Sequence, residues 1–187
     1  MIDLYTAATP NGWKASIALE EVALPYELKA LRLDQLDQKQ DAFLRINPNG
    51  RIPAIVDRDA GDFAVFESGA ILLYLAESYG HECQSPAERA LAQQWVLFAN
   101  ATLATALFVP SNREREFPRL MEVLDRKLAD GPLMGGQWSV ADCAVNAYLA
   151  YLPIFFPQID LNPFPQVQAT IAATQQRPAY QLVMGQR

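Results

Sequence analysis

The sequence predicts an α/β domain over residues 1–79, a linker over residues 80–85 and an all-α domain over residues 86–187. Three observations predict this. Residues 2–33 read strand, helix, strand, and residues 47–75 read strand, strand, helix. Past the linker, the patterned stretches carry the 3.6-residue apolar period of helices and lack the alternation of strands.

Residues 2–6 alternate apolar and polar side chains and form the first strand. Thr9 followed by Pro10 has the pattern of an N-cap with proline at the first helical position. Trp13, Ile17, Leu19 and Val22, set among Lys14, Ser16, Glu20 and Glu21, then give a helix that stops near Leu24-Pro25. Residues 26–33 form a second strand, parallel to the first because a helix crosses between them. Residues 35–40 are a polar loop, and residues 41–46 a short helix or turn ended by Asn47-Pro48.

The next stretch runs Asn47-Pro48-Asn49-Gly50-Arg51-Ile52-Pro53-Ala54-Ile55-Val56-Asp57, turns at Gly61, continues as Phe63-Ala64-Val65-Phe66, and enters an apolar helix through Glu67-Ser68-Gly69. Pro53 sits at the mouth of a strand, where it cannot donate to a ladder and keeps Ile52 extended. By pattern alone the Ile52-Pro53 bond is trans. Ser68 offers a hydroxyl and a backbone N–H at a helix N-terminus, which favours an anion, although an ordinary N-cap looks the same.

A four-stranded mixed sheet in this order, with helices on both faces, is a thioredoxin-like arrangement. Its active site lies where the first loop meets the first helix, opposite the proline before the third strand. Thr9 and Asn11 are thereby expected near Ile52-Pro53. In the second half, residues 88–108 carry a strong helical period that Val109-Pro110 breaks, and residues 116–128 form another helix. Residues 130–137 form a Gly/Pro loop. Ser139-Val140-Ala141-Asp142 is a capping box, with Trp138 placed to staple the entry and residues 144–151 continuing the helix. A wet run containing Pro153, Pro157, Pro163 and Pro165 leads to a helix over residues 166–176, and Pro178 opens a short last one.

Fifteen basic against 21 acidic residues give a net charge of −6, and the basic residues are scattered, which argues against nucleic acid as a partner. The apolar runs are too short for a membrane span and the start lacks a signal-peptide pattern, so the expectation is a soluble cytoplasmic protein. His81 is the single histidine, and Cys83 and Cys143 have no ligand spacing, so neither a metal site nor a histidine triad is expected. Cys143, among Ala141, Ala144 and Val145, reads as a core residue, and Cys83, in the linker, as an exposed thiol.

With the proline, the capped helix and the all-helical second half in place, the chain resembles a cytosolic glutathione transferase over nearly its whole length. The strongest motifs are residues 47–54 and 66–75, backed by the Ser139 to Asp142 capping box. The start, Ile2-Asp3-Leu4-Tyr5-Thr6 to Thr9-Pro10-Asn11-Gly12, is similar to the bacterial and fungal Ure2-like and nu branch, while the short chain is closer to the compact cyanobacterial chi class. The resemblance implies a glutathione transferase fold, a cis Ile52-Pro53 bond, and Ile52 pairing with the cysteinyl backbone of glutathione. It further implies that Glu67 and Ser68 hold the γ-glutamyl end, with Lys39 and Arg51 as candidates for the glycyl carboxylate.

A thiol with a pKa near ~8.5 is mostly protonated at neutral pH, so its activation needs a donor. The family's commoner activators, a tyrosine, serine or cysteine, are absent from the first loop. Thr9 and Asn11 stand as equal candidates, with Tyr5 behind them. The electrophile is expected over residues 7–9, with Trp95, Phe98, Asn100, Phe108 and Arg113 as possible walls and the short region 110–116 leaving the site open. The resemblance implies detoxifying conjugation of small hydrophobic electrophiles by a homodimer. Reduction of peroxides or disulfides with glutathione and a non-catalytic interaction module are the alternatives.

Overall fold

The computed structural model describes residues 1–80 and 83–185. Residues 81 and 82 of the expected linker, His81 among them, lie outside the described residues. Four strands, β1 (Ile2–Thr6), β2 (Tyr26–Ala30), β3 (Ala54–Asp57) and β4 (Phe63–Phe66), form one mixed sheet in the order β2-β1-β3-β4. β1 runs parallel to β2, with Ile2 beside Tyr26, and antiparallel to β3, with Leu4 beside Ile55. β4 pairs antiparallel with β3.

The central strands are buried because both faces of the sheet are covered. Ile2, Leu4, Ala54 and Ile55 have no exposed surface. Helices α1 (Pro10–Glu21) and α3 (Ser68–Ser78) pack on the sheet and on each other. Alternation along β1 turns Tyr5 away from Leu4, and its ring meets Phe43 of the short helix α2 (Asp41–Leu44) at 5.9 Å.

β2 is shorter than its apolar pattern predicts. After Leu31 donates to the Thr6 carbonyl at 2.8 Å, Leu36 adopts φ 59°, and Asp37 accepts from both the backbone N–H and the Nε of Arg32. These bonds wind residues 33–39 into two 3₁₀ turns where a polar loop was expected.

The second half is helical throughout its regular elements: α4 (Pro86–Leu97), α5 (Ala104–Phe108), α6 (Pro110–Leu128), α7 (Val140–Phe155), α8 (Pro165–Gln176) and α9 (Pro178–Gly185). A π-helical segment, Phe98–Leu103, joins α4 to α5. α4 starts earlier than its apolar period suggests because Ser85 and Glu88 form a reciprocal capping box around Pro86. α7 packs against α1, α3 and α4 and ties the two halves together. Arg177 also donates to both carboxylate oxygens of Glu21 on α1, each at 2.6 Å. No helix among the described residues is long and apolar enough to cross a membrane.

Three expectations fail here. Residues 110–116 are not a short open region but the first two turns of α6. Their Ser-Asn-Arg-Glu-Arg-Glu run has no apolar period, yet Pro110 fits the first helical position. Arg113 anchors the segment, with Nε on the Leu107 carbonyl at 2.8 Å and its guanidinium 4.8 Å from the centre of the Phe156 ring. α7 runs through Pro153 to Phe155 instead of yielding to a wet stretch, because Leu152 is buried and Tyr151 stacks on Phe155 at 3.9 Å. Cys83 is not an exposed thiol: it is 3% exposed at φ 70°, with its carbonyl accepting from Arg89. Cys143 is buried on α7.

Candidate functional site

The loop after β1 folds tightly onto the start of α1, and Gly12 permits it. A Cβ at Gly12 would lie 2.1 Å from the Ala7 carbonyl oxygen and 2.4 Å from Thr6 Oγ1. Thr9 is extended and caps the helix: its Oγ1 accepts from the Gly12 N–H at 3.1 Å. That bond uses an acceptor lone pair and leaves the Thr9 O–H as a donor. Asn11 follows on the first turn.

Across from this loop the chain forms a turn around Asn47, which is 2% exposed. Its Oδ1 accepts from Asn49 N–H at 3.0 Å, and its Nδ2 donates to the Arg51 carbonyl at 2.6 Å. Gly50, at φ 62°, completes the turn; a Cβ there would lie 2.8 Å from Lys39 Nζ and 3.1 Å from the Gln38 carbonyl. The positive φ favours glycine here, and a Cβ would also press on the Gln38 carbonyl. The Ile52-Pro53 bond is cis, as the resemblance implied and the bare pattern did not. Ile52 precedes the β1–β3 ladder, whose last pair is Ala54 with Tyr5, so its peptide groups are not engaged in the sheet.

The third piece is the start of α3. Glu67 sits at φ 71° and makes no side-chain cap to the helix. For a residue with a Cβ this positive-φ backbone costs about 1–3 kcal/mol, and such strain gathers at functional sites. Ser68 is buried; its Oγ accepts from Asn100 Nδ2 at 3.1 Å and lies 3.4 Å from Asn11 Oδ1. Tyr148, from α7, donates its hydroxyl to the same Asn11 oxygen at 2.8 Å. Burial pushes the Tyr148 hydroxyl well above the usual phenol range, so it stays a protonated donor.

These pieces enclose a groove with two lobes. A cavity of about 420 Å³ is lined by Thr9, Asn11, Gln38, Lys39, Gly50 and Ile52, together with Leu33 and Arg51. A smaller one of about 70 Å³ continues past Ile52 and Pro53 to Glu67 and Ser68. Asn11, Arg51 and Ile52 belong to both. Lys39 thus stands at one end, Arg51 and an unengaged backbone where the lobes meet, and a carboxylate with a helix N-terminus at the other.

All eight residues singled out from sequence, Thr9, Asn11, Lys39, Arg51, Ile52, Pro53, Glu67 and Ser68, line this groove. Tyr5 lines neither lobe, and Ser16 donates to the Gly12 carbonyl inside α1. The possible walls for a second substrate separate. Trp95 is 8% exposed and packs edge-on against Phe98, so it belongs to the core. Phe108 is 44% exposed and meets Tyr148, Tyr151 and Phe156 edge-on, with Arg113 over Phe156. Asn100 points instead into the bonds around Ser68.

Sequence reasoning missed Gln38, Asn47 and Tyr148. Gln38 Oε1 is buried without a hydrogen-bond partner beside the larger lobe, an acceptor that calls for an N–H. Its polar loop gave no signal. Tyr148 did carry one: a hydroxyl inside the buried apolar stretch 144–150 needs a partner.

Residues 1–77 match the family model described as the glutathione S-transferase N-terminal domain. The disulfide-bond oxidoreductase YfcG of Escherichia coli K12 is 38% identical, across 96% of this chain and 92% of its own length. A glutathione transferase of Burkholderia graminis, solved with two glutathione molecules per subunit, superposes with a TM-score of 0.83 at 36% identity, over 96% of this chain and 85% of its own. Another, from Phanerochaete chrysosporium with oxidized glutathione, gives 0.84 at 27% identity, over 99% and 94%.

Proposed function

This chain belongs to the glutathione S-transferase family, and from that premise we propose that it binds glutathione along the groove, holds its sulfur as the thiolate at Thr9 and Asn11, and delivers that nucleophile to a small electrophile. The carrying observation is the order of groups along the groove. Lys39 and Arg51 suit the glycyl carboxylate, the Ile52 peptide suits the cysteinyl backbone, and Glu67 with the Ser68 N–H suits the ammonium and carboxylate of the γ-glutamyl end. The buried Oε1 of Gln38 supports the fit, since the glycyl amide would supply its missing donor.

The Thr9 hydroxyl and the Asn11 amide are neutral donors at the start of α1, where the helix dipole adds further stabilisation of an anion. Each lowering of the thiol pKa by one needs about 1.36 kcal/mol, which two such donors can supply. Phe108, exposed and backed by Tyr151 and the buried Tyr148, offers an apolar wall for the second substrate on the side of Asn11. Holding both reactants there contributes by proximity.

A second reading is favoured by the relatives named as disulfide-bond oxidoreductases. Bound thiolate attacks a disulfide sulfur, giving a mixed disulfide and one thiolate. A second glutathione then releases glutathione disulfide and the second thiol. The chain's own thiols Cys83 and Cys143 are buried away from the groove, so both electrons come from glutathione. Either reaction suits the cytoplasm, where glutathione is kept reduced.

Titration calorimetry with glutathione tests the shared premise: no heat at millimolar ligand would sink both enzymatic readings. Turnover of 1-chloro-2,4-dinitrobenzene against that of bis(2-hydroxyethyl) disulfide separates them. Binding without turnover of either substrate would favour an interaction module. A homodimer is part of the proposal, built along α3 and α4 with the exposed Phe63, Phe66, Leu91 and Leu97 nearby; a monomeric mass in solution would contradict it.

A further inference from the structure

Lys14 has no exposed surface at all, an unusual place for a lysine. It lies in α1, with Nζ 2.6 Å from Asn100 Oδ1 and 3.6 Å above the centre of the Tyr148 ring. Its nitrogen meets one amide oxygen and one aromatic face, and burial holds its pKa well below the usual lysine range. A group this costly to bury needs partners, and Asn100 Oδ1 and the Tyr148 ring are the ones it meets.

What it acts on is the direction of a chain of hydrogen bonds. An amine donates to Asn100 Oδ1 whether it carries its extra proton or not. With that oxygen engaged, the Asn100 amide presents Nδ2 to Ser68 Oγ at 3.1 Å. Ser68, accepting on one side, turns its own proton toward Asn11 Oδ1 at 3.4 Å, where the Tyr148 hydroxyl also donates at 2.8 Å. Both acceptor positions of the Asn11 oxygen are then filled. Because the amide is planar, its Nδ2 and two N–H groups point away from these two donors, and Asn11 lines both lobes of the groove.

Two features of the backbone make this chain possible. Gly69 lets the helical domain close on α3, since a Cβ there would stand 2.9 Å from Asn100 Nδ2 and 2.8 Å from a Val96 methyl. Asn100 itself lies on the π-helical segment, the kind of irregularity that re-aims a side chain.

We propose that Lys14 and Tyr148 are positioning residues that fix the Asn11 amide with its N–H groups, and not its oxygen, toward the substrate sulfur. This rests on the reading that the groove takes glutathione. In the opposite orientation Asn11 would aim a carbonyl oxygen at a thiolate, and the site would repel the charge it must stabilise.

The test uses Tyr148→Phe, which keeps the ring and removes one donor, and Lys14→Met, which removes the start of the chain. At saturating glutathione, thiolate absorbance is titrated against pH, and calorimetry gives the dissociation constant. Both variants should raise the bound thiol's pKa, each by about 1, a roughly tenfold loss of thiolate at neutral pH. Glutathione affinity at low pH should change by less than about twofold, a split that general loosening of the fold would not give. An unchanged thiol titration in both variants overturns the positioning role while leaving glutathione binding intact. Should Lys14→Met fail to fold, Tyr148→Phe alone decides.

A ligand-free arm keeps the two readings apart. In nitrogen-15 spectra of the free protein, the Asn11 side-chain amide signals should shift or broaden in Tyr148→Phe. If they do not move, the chain does not orient Asn11, whatever the protein binds.

Discussion

At the start of α7, Ser139 and Asp142 close on one another, whereas at the start of α3, Glu67 and Ser68 leave the helix open. Asp142 is 1% exposed and accepts from the Ser139 N–H at 3.0 Å, the Ser139 hydroxyl at 2.8 Å and the Leu133 N–H at 3.0 Å. Its capacity is spent within the fold. Glu67, by contrast, adopts a positive-φ backbone, and its side chain makes no cap bond. A Ser and an acid thus sit at both helix starts, but at α7 the acid is spent on the chain, whereas at α3 the serine hydroxyl bonds to Asn100 and Asn11 and the acid is left lining a groove. The difference lies in where the acid stands: three residues inside the helix it reaches back to the cap, and one residue before the serine it points outward.

Mutations at the two starts should therefore separate stability from binding. Asp142→Ala strands two backbone N–H groups and is expected to cost about 2–4 kcal/mol of folding stability, read from denaturant midpoints. Glutathione affinity of the folded fraction should stay within about twofold. Ser68→Ala is expected to weaken glutathione binding by about 1–3 kcal/mol, measured by calorimetry, with a smaller loss of stability than Asp142→Ala. If Ser68→Ala unfolds the protein as strongly as Asp142→Ala and spares binding, the two starts do the same job and the contrast is void.

The same contrast explains what could be read from the chain itself. The capping box at Ser139 was legible because both partners lie three residues apart in sequence. The β-β-α stretch was legible from Pro53, Gly61 and the Glu67-Ser68 step into an apolar run. The shared groove was reached through the order of elements, which brings Thr9 and Asn11 opposite Ile52. The Lys14, Asn100, Ser68, Asn11 and Tyr148 chain was not legible, since it joins residues up to 137 positions apart. Lys14 itself reads as an ordinary surface lysine on a helix. The first turns of α6 escaped for another reason: their polar residues carry no period, and a proline start with an arginine anchored on Phe156 holds them.

The start of α1 is intermediate, because Thr9 serves both purposes. Its Oγ1 caps Gly12 while its O–H remains for a ligand. Thr9→Ala should cost about 1 kcal/mol of stability through the lost cap and also raise the pKa of bound glutathione thiol. Asn11→Ala should raise that pKa with less effect on the helix, since the Asn11 oxygen accepts from Tyr148 and Ser68 and does not cap α1. Thiolate absorbance and thermal unfolding on the same variants measure both. A thiol titration unmoved by either substitution would remove these residues from the chemistry.

The smallest effect compares two buried carboxylates, one in each half. For Asp142, burial outweighs the bonds it accepts and its pKa is raised. For Asp57, burial pushes upward too, but the hydroxyls of Tyr74 and Tyr79 and the N–H groups of Asp59 and Ala60 outweigh it and hold the carboxyl low. The signs are opposite. Asp57 contributes stability that is present above the ordinary aspartate value of about 3.9 and is lost as pH falls through its depressed folded value. Asp142 contributes stability that is full below about 3.9 and is lost as pH rises through its raised folded value. Denaturant midpoints followed from pH 3 to 7 should show Asp57→Asn flattening the acid limb and Asp142→Asn flattening the decline above it. Flattening of the same limb by both would mean that the bonds around Asp142 outweigh its burial as well.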